Sequence, residues 1–243
     1  MRRFYTAQDL TANSQVELTG QVARHLVQVL RMQPGEQLHL FNGRCCYLAT
    51  VQTTSKNSAW VELIQPVDLL PASPLTTHLG QAISKGDKME WVIQKATELG
   101  VSQLTPLYTN KGDVRLKGER EAKKLEQWRQ IAISACEQCG RGDLPLINPP
   151  QNLPEWLSQR HEDIKLVLHP EAATSQVAAQ PQTAPITSVA LLIGPEGGLS
   201  QAEVNAAKQI GFSSLRLGPR VLRTETAPLA ALSLVQHWWG DLS

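Results

Sequence analysis

Two glycine-rich segments in the C-terminal half of the sequence carry residue types that bind small ligands. The first is Gly194–Gly198 (GPEGG), which follows the apolar run Leu191–Ile193 and precedes Ser200 and Glu203, a capping-box pair that opens a helix. Glycines at such a turn let a ligand approach backbone N–H and C=O groups, and first-turn amides favour an anion or the polar edge of a nucleoside. The spacing fits neither a Walker A loop nor G-x-G-x-x-G, and an ordinary turn between strand and helix is the alternative interpretation.

The second segment, Leu217–Leu232, has the sequence LGPRVLRTETAPLAAL. A predicted strand ends at its Gly218-Pro219 pair, and the chain then passes through Arg220 and Arg223 into an apolar helix. Arginine at such a place is suited to contact an oxyanion or a phosphate.

Thr224 and Glu225, at the start of the same helix, have two interpretations. Both residue types are common at helix starts, where they cap free amides and complement the helix dipole. Two glycine-rich strand ends in one α/β domain, however, predict one shared pocket, and these two side chains would then contribute to it.

The composition is that of a folded protein with one large domain, or a main domain and a small one. The chain has 243 residues, 42% hydrophobic and 19% charged, and a formal net charge of +1, which argues neither for nor against nucleic acid. No apolar run approaches the about 18 residues of a membrane helix, and the N-terminus MRRFYTAQDL lacks the apolar core of a signal peptide. We therefore expect a cytoplasmic protein that does not enter a membrane.

The cysteines and histidines do not predict a metal site. Cys45-Cys46 are adjacent on a predicted strand, where neighbouring side chains point to opposite faces, and Cys136 and Cys139 are expected to be packing residues of a helix. No two histidines show the spacing of metal ligands on a common helix face. We expect four free thiols and no bound metal.

Residues 1–72 read as a small β-rich module that contains one helical stretch, Gln21–Leu30. Asn42-Gly43 predicts a type I′ hairpin turn, because both central positions of that turn require positive φ. The proline-spaced stretch Pro66–Pro74 predicts a linker, which places the domain boundary there. The predicted strands are Arg3–Tyr5, Val16–Leu18, Gln37–Phe41, Tyr47–Val51 and Ala59–Ile64.

From Leu75 onward strands alternate with helices, which is the pattern of a mostly parallel α/β sheet. The segment between His169 and Ser188 is rich in Gln, Ala, Pro and Thr and predicts a surface loop. The predicted strands are His78–Ile83, Val101–Tyr108, Ile164–Leu168 and Val189–Ile193, and the predicted helices are Lys85–Gly100, Glu119–Cys139 and Glu225–Trp239.

Several of these segments together resemble one known family. GPEGGLS at 194–200, LGPRVLRTETA at 217–227, KGDKMEWVIQKATELGV at 85–101 and ACEQCGR at 135–141 are similar to motifs of the bacterial RsmE family of 16S rRNA (uracil-N3)-methyltransferases, within the SPOUT superfamily. The N-terminal RHLVQVLRMQPGEQLHLFNG at 24–43 resembles the small PUA-like RNA-binding domain of that family. The resemblance covers nearly the whole chain.

The resemblance implies an α/β protein with a PUA-like β-barrel domain at 1–72 and a SPOUT methyltransferase domain with a deep trefoil knot at 73–243. It also implies a homodimer, and S-adenosyl-L-methionine as the cofactor, held by three loops. The cofactor-binding residues are expected to be Leu168, His169, Gly194, Pro195, Glu196, Gly197, Gly198, Leu217, Gly218, Leu222, Arg223 and Thr224.

Methylation at uracil N3 requires that the acceptor nitrogen be oriented and that its imide proton leave. Negative charge then spreads over the two flanking carbonyl oxygens, so a nearby cation should help; Arg223 is the first candidate and Arg220 the second. Glu225 or Glu196 could take the proton, although a carboxylate matches so weak an acid poorly unless burial raises its pKa. Direct transfer to water is the alternative.

The expected partner is 16S rRNA within the small ribosomal subunit, whose target base must be turned out of its stack. Basic side chains outnumber acidic ones across 111–129, although interspersed Glu and Lys also describe a solvated helix face. A ribose 2′-O-methyltransferase and a non-catalytic RNA-binding protein are the competing functions. The candidate RNA-binding residues are Arg3, Arg24, Arg31, Lys111, Arg115, Lys117 and Arg141.

Overall fold

Two units, each with its own sheet, make up the described residues 1–169 and 185–242 of the computed structural model. The first unit comprises Met1–Ala72 and Ile133–Leu144, and the second comprises Ser73–Ala132 and Pro145–Ser243. The predicted surface loop between His169 and Ser188 lies mostly outside the described residues.

A five-stranded sheet forms the first unit, in the order β1-β3-β4-β5-β2. β1 is parallel to β3, and the other neighbours are antiparallel. The strands are β1 (Arg3–Tyr5), β2 (Gln15–Thr19), β3 (Gln37–Phe41), β4 (Cys46–Thr54) and β5 (Ser58–Val67), which confirms the five predicted strands with longer limits for β2, β4 and β5.

The alternation of apolar residues explains this sheet. One residue from each strand belongs to a single buried cluster, and their sequence neighbours are less buried except for Phe41, which is buried in another cluster. The five residues of the first cluster are Phe4, Leu18, Leu40, Val51 and Val61. Every strand of the sheet therefore contributes to the same core.

The predicted helix at Gln21–Leu30 divides into two kinds of helix. α1 (Gly20–Arg24) continues directly into a π-helical turn, His25–Val29, in which the amide of Leu30 donates to the carbonyl of His25. Leu26 within this turn and Met32 just beyond it are both buried.

The type I′ turn predicted at Asn42-Gly43 is wrong. The last pair of the β3–β4 ladder is Phe41 with Cys46, so the connection has four residues, and of these Gly43 has a positive φ of 86°. The side chain of Asn42 accepts hydrogen bonds from the amides of Arg44 and Cys45 at 3.0 Å each, which stabilises the longer loop.

The end of a long helix, α3 (Glu119–Cys139), belongs to the first unit from Ile133 onward. The buried Cys136 of this helix packs in one cluster with Phe41 and Cys46. All four cysteines are free thiols, as expected, and burial raises the pKa of Cys136 to about 12. The limits of α3 agree with the prediction at both ends.

The second unit is built on a parallel sheet in the order β12-β10-β11-β6-β7-β8, with β9 also paired to β7. Its strands are β6 (Thr76–Ala82), β7 (Gln103–Tyr108), β8 (Leu146–Ile147), β9 (Gln151–Asn152), β10 (Ile164–Leu168), β11 (Ser188–Ile193) and β12 (Ser213–Leu215). The further helices are α2 (Lys88–Glu98), α4 (Leu153–Ser158), α5 (Gln201–Gln209) and α6 (Ala227–Trp239).

Helices cover both faces of this sheet, which explains why its central strands are almost wholly apolar. Residues of α2, α3 and α6 share one buried cluster with Leu166 and Leu191, whereas residues of α4 and α5 share another with Val167 and Leu192. Successive residues of β10 and β11 thus serve opposite cores. The predicted α/β class and parallel sheet are confirmed.

Gly80 of β6 lies directly beneath Trp156 of α4. A Cβ atom at this position would lie 2.6 Å from Cζ2 of Trp156, which is fully buried. Residue 80 therefore has to be glycine for α4 to pack at its observed depth.

The substitution Gly80→Ala is expected to lower the free energy of unfolding by about 1–3 kcal/mol, because the new methyl group overlaps the indole ring. Urea denaturation measures this cost in the native background and again with Trp156→Phe, a smaller ring that leaves space. An equal loss of unfolding free energy in the two backgrounds would show that the indole is not the group with which the new methyl overlaps.

Candidate functional site

One cavity of about 690 Å³ lies at the carboxyl edge of the parallel sheet of the second unit. Strands β10, β11 and β12 end at this edge, which is where ligands bind in open α/β sheets. The lining includes every residue predicted to bind the cofactor and every predicted catalytic residue, as well as Lys111: Leu168, His169, Gly194, Pro195, Glu196, Gly197, Gly198, Leu217, Gly218, Arg220, Leu222, Arg223, Thr224 and Glu225.

The hydroxyl of Thr224 connects the loops that form this cavity. It donates a hydrogen bond to the carbonyl oxygen of Gly194 at 2.8 Å, and it accepts one from Nε2 of Gln81 at 3.2 Å. The hydroxyl of Ser84 lies 3.5 Å away, and Thr224 itself is buried. The segment before α6 is therefore fixed to the ends of both β6 and β11.

The glycine loop has a local reason for its sequence. A Cβ at Gly194 would lie 2.9 Å from the amide nitrogen of Leu199, and Gly198 has a φ of +69°. Ser200 and Glu203 form the predicted capping box at the start of α5. The strand, the tight turn and the helix start are thus all present as predicted.

Glu203 also connects the glycine loop to the loop after β7. Its Oε1 accepts a hydrogen bond from the amide of Asn110 at 2.7 Å, and the side-chain amide of Asn110 donates to the hydroxyl of Ser200 at 3.1 Å. This contact brings Lys111 to the cavity, where its Cβ would be 3.4 Å from a Cβ placed on Gly197.

Two carboxylates line the cavity near one lysine. Nζ of Lys88 lies 2.8 Å from Oε1 of Glu196 and 3.9 Å from Oε2 of Glu225. Burial alone would raise the pKa of Glu196, but the hydrogen bond and charge of Lys88, together with backbone hydrogen bonds, outweigh it and hold that pKa below its ordinary value. Oε2 of Glu225 is buried and accepts no hydrogen bond from the described residues.

Arginine side chains surround the opening of the cavity. Arg220 and Arg223 are both exposed, and Val221 between them is 80% exposed. Nε of Arg216 donates to the carbonyl oxygen of Gly218 at 3.1 Å, which holds its own loop. The predicted cations therefore face solvent at the edge of the cavity, as does Glu196, whereas Glu225 is more buried, with 20% of its side chain exposed.

The predicted RNA-binding residues are divided between the two units. Lys111 lines the cavity of the second unit, and Lys117 lies on its surface just before α3. Arg115 donates to the carbonyl oxygen of Thr109 at 2.9 Å and lies over the ring of Tyr108. Arg24 and Arg31 are exposed in the first unit.

Arg3 and Arg141, also in the first unit, have structural partners. The guanidinium of Arg3 donates to the carbonyl oxygens of Gly140 and Arg141, just after α3, and lies 4.7 Å from the ring centre of Phe41. Arg141 forms a bidentate pair with Asp143, with atoms 2.6 and 2.9 Å apart. The contacts of Arg3 join residues far apart in the sequence, and the pair of Arg141 with Asp143 depends on the conformation of a turn. Neither could be predicted from the sequence pattern.

Sequence reasoning did not single out Lys88, Gln81 or Ser84, which come from the end of β6 and the start of α2. Lys88 lies inside the motif KGDKMEWVIQKATELGV, and the resemblance of this motif to the family was the one signal that could have pointed to it. Among residues 1–169 and 185–242, no group of three His, Cys, Asp or Glu side chains could hold a metal ion. Within the same residues, no helix is both long and apolar enough to span a membrane.

The fold and the cavity define an RNA methyltransferase. Residues 71–236 match the family model of the RNA methyltransferase domain, and residues 18–64 match that of the RNA methyltransferase PUA domain. The two matches fall on the two sheets, and the first covers more than half of the chain.

Named relatives identify the family. Ribosomal RNA small subunit methyltransferase E of Buchnera aphidicola is 37% identical over 99% of this chain and 98% of its own length, and that of Bacillus subtilis is 32% identical over 98% and 96%. The chain therefore belongs to the ribosomal RNA small subunit methyltransferase E family.

Solved structures agree with this assignment. Methyltransferase E of Neisseria gonorrhoeae, bound to S-adenosyl methionine, is 36% identical and matches over 100% of both chains with a TM-score of 0.91. A methyltransferase of Legionella pneumophila in complex with the same cofactor is 43% identical, with a TM-score of 0.93 over 99% of this chain and 98% of that one.

Replacing Thr224 with valine is expected to lower the free energy of unfolding of the second unit by about 1–3 kcal/mol. The valine keeps the shape of the side chain but leaves the carbonyl of Gly194 without its donor. Thermal or urea denaturation measures the loss. The control Thr226→Val, at an exposed position two residues later, is expected to change it by less than about 0.5 kcal/mol; equal losses would contradict the assigned role of the Thr224 hydroxyl.

Proposed function

We propose that this chain transfers a methyl group from S-adenosylmethionine to N3 of a specific uridine in 16S ribosomal RNA. The observation that carries the proposal is the cavity at the carboxyl edge of the parallel sheet, which gathers the glycine loop and the LGPRVLRTET segment. Membership of the family and the cofactor bound in the related structures support it.

The residues of the cavity fit this cofactor. Leu168, Leu217 and Leu222 supply apolar surface for an adenine ring, and the glycine loop supplies backbone groups for its polar edge. Oε2 of Glu225 is a buried acceptor with no hydrogen-bond donor among the described residues, as a hydroxyl or ammonium group of a ligand would require. S-adenosylmethionine, when bound, supplies a methyl group on a positively charged sulfur.

The arginines at the opening orient and stabilise the acceptor base. As the proton leaves N3, negative charge spreads over the two flanking carbonyl oxygens of uracil. The exposure of Arg223 supports it as the donor of hydrogen bonds to that charge, and Arg220 is the second donor.

The two carboxylates differ in their suitability to receive the N3 proton. Glu196 is held ionised by Lys88 at 2.8 Å and has a lowered pKa, which makes it a weak base. Glu225 has a buried oxygen that accepts no hydrogen bond within the described chain. We assign the proton to Glu225, with direct transfer to water as the alternative.

The first domain, residues 1–72, is proposed to bind RNA together with part of the methyltransferase domain, residues 73–243. The exposure of Arg24, Arg31 and Lys117, and the position of Lys111 at the cavity, support these four as the RNA contacts. Arg3, Arg115 and Arg141 hold backbone or carboxylate groups of their own unit and are assigned to structure instead.

Three finer features of the fold and assembly belong to the same proposal. The shared core of all five strands supports a curled, barrel-like sheet in the first unit. The path from β12 at the sheet edge to Thr224, which contacts the loop after β11, supports a trefoil knot. A homodimer in the cytoplasm, acting on RNA within the small ribosomal subunit, completes the proposal.

The test is incubation of the protein with labelled S-adenosylmethionine and small ribosomal subunits that lack the modification, followed by nucleoside mass spectrometry. The expected product is N3-methyluridine. Arg223→Ala is expected to lower kcat/KM about 10²–10³-fold, because one charge-stabilising donor is lost. Lys208→Ala, which removes an exposed cation of α5 in the same unit, is the control and is expected to leave the rate unchanged.

Two outcomes would contradict the proposal in different ways. A 2′-O-methylated nucleoside would move the activity to the ribose hydroxyl. Full activity of the Arg223→Ala variant would remove Arg223 from the charge-stabilising role while leaving the product assignment in place.

A further inference from the structure

Lys88 occupies a position that the proposed chemistry does not use. It is the first residue of α2, and its side chain is 32% exposed. Its ammonium group lies between carboxylates from two other segments: Glu196 of the loop after β11 at 2.8 Å, and Glu225 just before α6 at 3.9 Å. One side chain thus connects three segments of the cavity wall.

The charges explain why such a connection is needed. Glu196 and Glu225 are negative and line the same cavity, so without a cation near them they would repel each other. Lys88 replaces this repulsion with one hydrogen-bonded ion pair and one longer attraction. Because all three side chains are partly withdrawn from solvent, the interaction is screened less than a pair at the open surface.

The same connection between β6 and α2 contains a natural comparison. Lys85 also pairs with an acidic residue, Asp113, but these two side chains are 66% and 67% exposed. Neither Lys85 nor Asp113 lines the cavity. An exposed ion pair of this kind contributes little to stability. Substitution of Lys85 therefore shows the effect of removing any positive charge from this connection, against which the effect of removing Lys88 can be compared.

We propose that Lys88 is a positioning residue for cofactor binding, which holds the glycine loop and the carboxylate of Glu225 in place around the cavity. The inference rests on the proposed function, because it takes S-adenosylmethionine as the ligand of that cavity. Lys88 acts through Glu196 and Glu225. Its removal therefore weakens binding of the cofactor even though Arg223 and the apolar wall remain.

Isothermal titration calorimetry with S-adenosylmethionine tests the inference on the full-length protein, without any methyl transfer. Lys88→Met is expected to raise Kd about tenfold, which lies within the range of coupling between charged neighbours. Lys88→Arg is expected to keep Kd within about threefold of the native value, because a guanidinium can bridge both carboxylates. Lys85→Met is the matched control and is expected to bind normally.

A double-substitution cycle makes the coupling explicit and does not depend on one variant. If Lys88 acts through Glu196, Lys88→Met combined with Glu196→Gln raises Kd by less than the product of the two single effects. Fully multiplicative effects, normal binding by Lys88→Met, or failure of Lys88→Arg to restore binding would each overturn the inference. Absence of binding by the native protein would instead overturn the proposed function.

Discussion

The hydroxyl of Thr224 is the contact on which the rest of the site depends. A single side-chain oxygen donates to the end of β11 and accepts from the end of β6, two neighbouring parallel strands whose carboxyl ends share one edge. The residues on either side of it gain their places from this attachment: Arg223 precedes it toward solvent, and Glu225 follows it into the cavity. The chemistry of the segment therefore follows from where one buried hydroxyl is fixed.

The attachment separates charges by depth. The exposed arginines at the opening suit an RNA, which is a polyanion, whereas the carboxylate of Glu225 lies further inside, within 3.9 Å of Lys88. A cofactor with a positively charged sulfur and a nucleic acid with negative phosphates require opposite surroundings. The cavity provides both within one short stretch of chain, which explains why LGPRVLRTET combines basic and acidic residues so closely.

The sequence predicts those parts of the fold whose pattern is local. β1, β3, β10 and α3 begin and end where the sequence pattern places them. β8, β9 and α4 have between two and six residues and show no period of their own, and β12 ends at Leu215 rather than at the predicted Gly218-Pro219 pair. The loop at Asn42-Gly43 also differs from the prediction, since the Asn42 side chain bonds to the two amides that follow Gly43 and stabilises a longer turn.

The residues of the site also divide into those that a local sequence pattern predicts and those that it does not. The glycine-rich strand ends and the family motifs were enough to predict the cofactor loops. The bridging roles of Lys88 and Gln81 could not be predicted in this way, because they depend on which strands are neighbours in the sheet. Arg3 is the opposite case. Its charge suggested an RNA contact, yet its guanidinium caps backbone carbonyls near residue 140, a partner 137 positions away in the chain.

That capping contact has a consequence for the order of events during synthesis. The sheet of the first unit is encoded by residues up to Val67, but the cluster of Phe41 and Cys46 is covered by Cys136, and Arg3 meets its acceptors only at Gly140 and Arg141. A nascent chain must therefore extend through most of α3 before its earliest strands are fully packed. The first unit is therefore completed only after synthesis of the second has begun, and a fragment cut at residue 72 would carry an uncovered apolar surface.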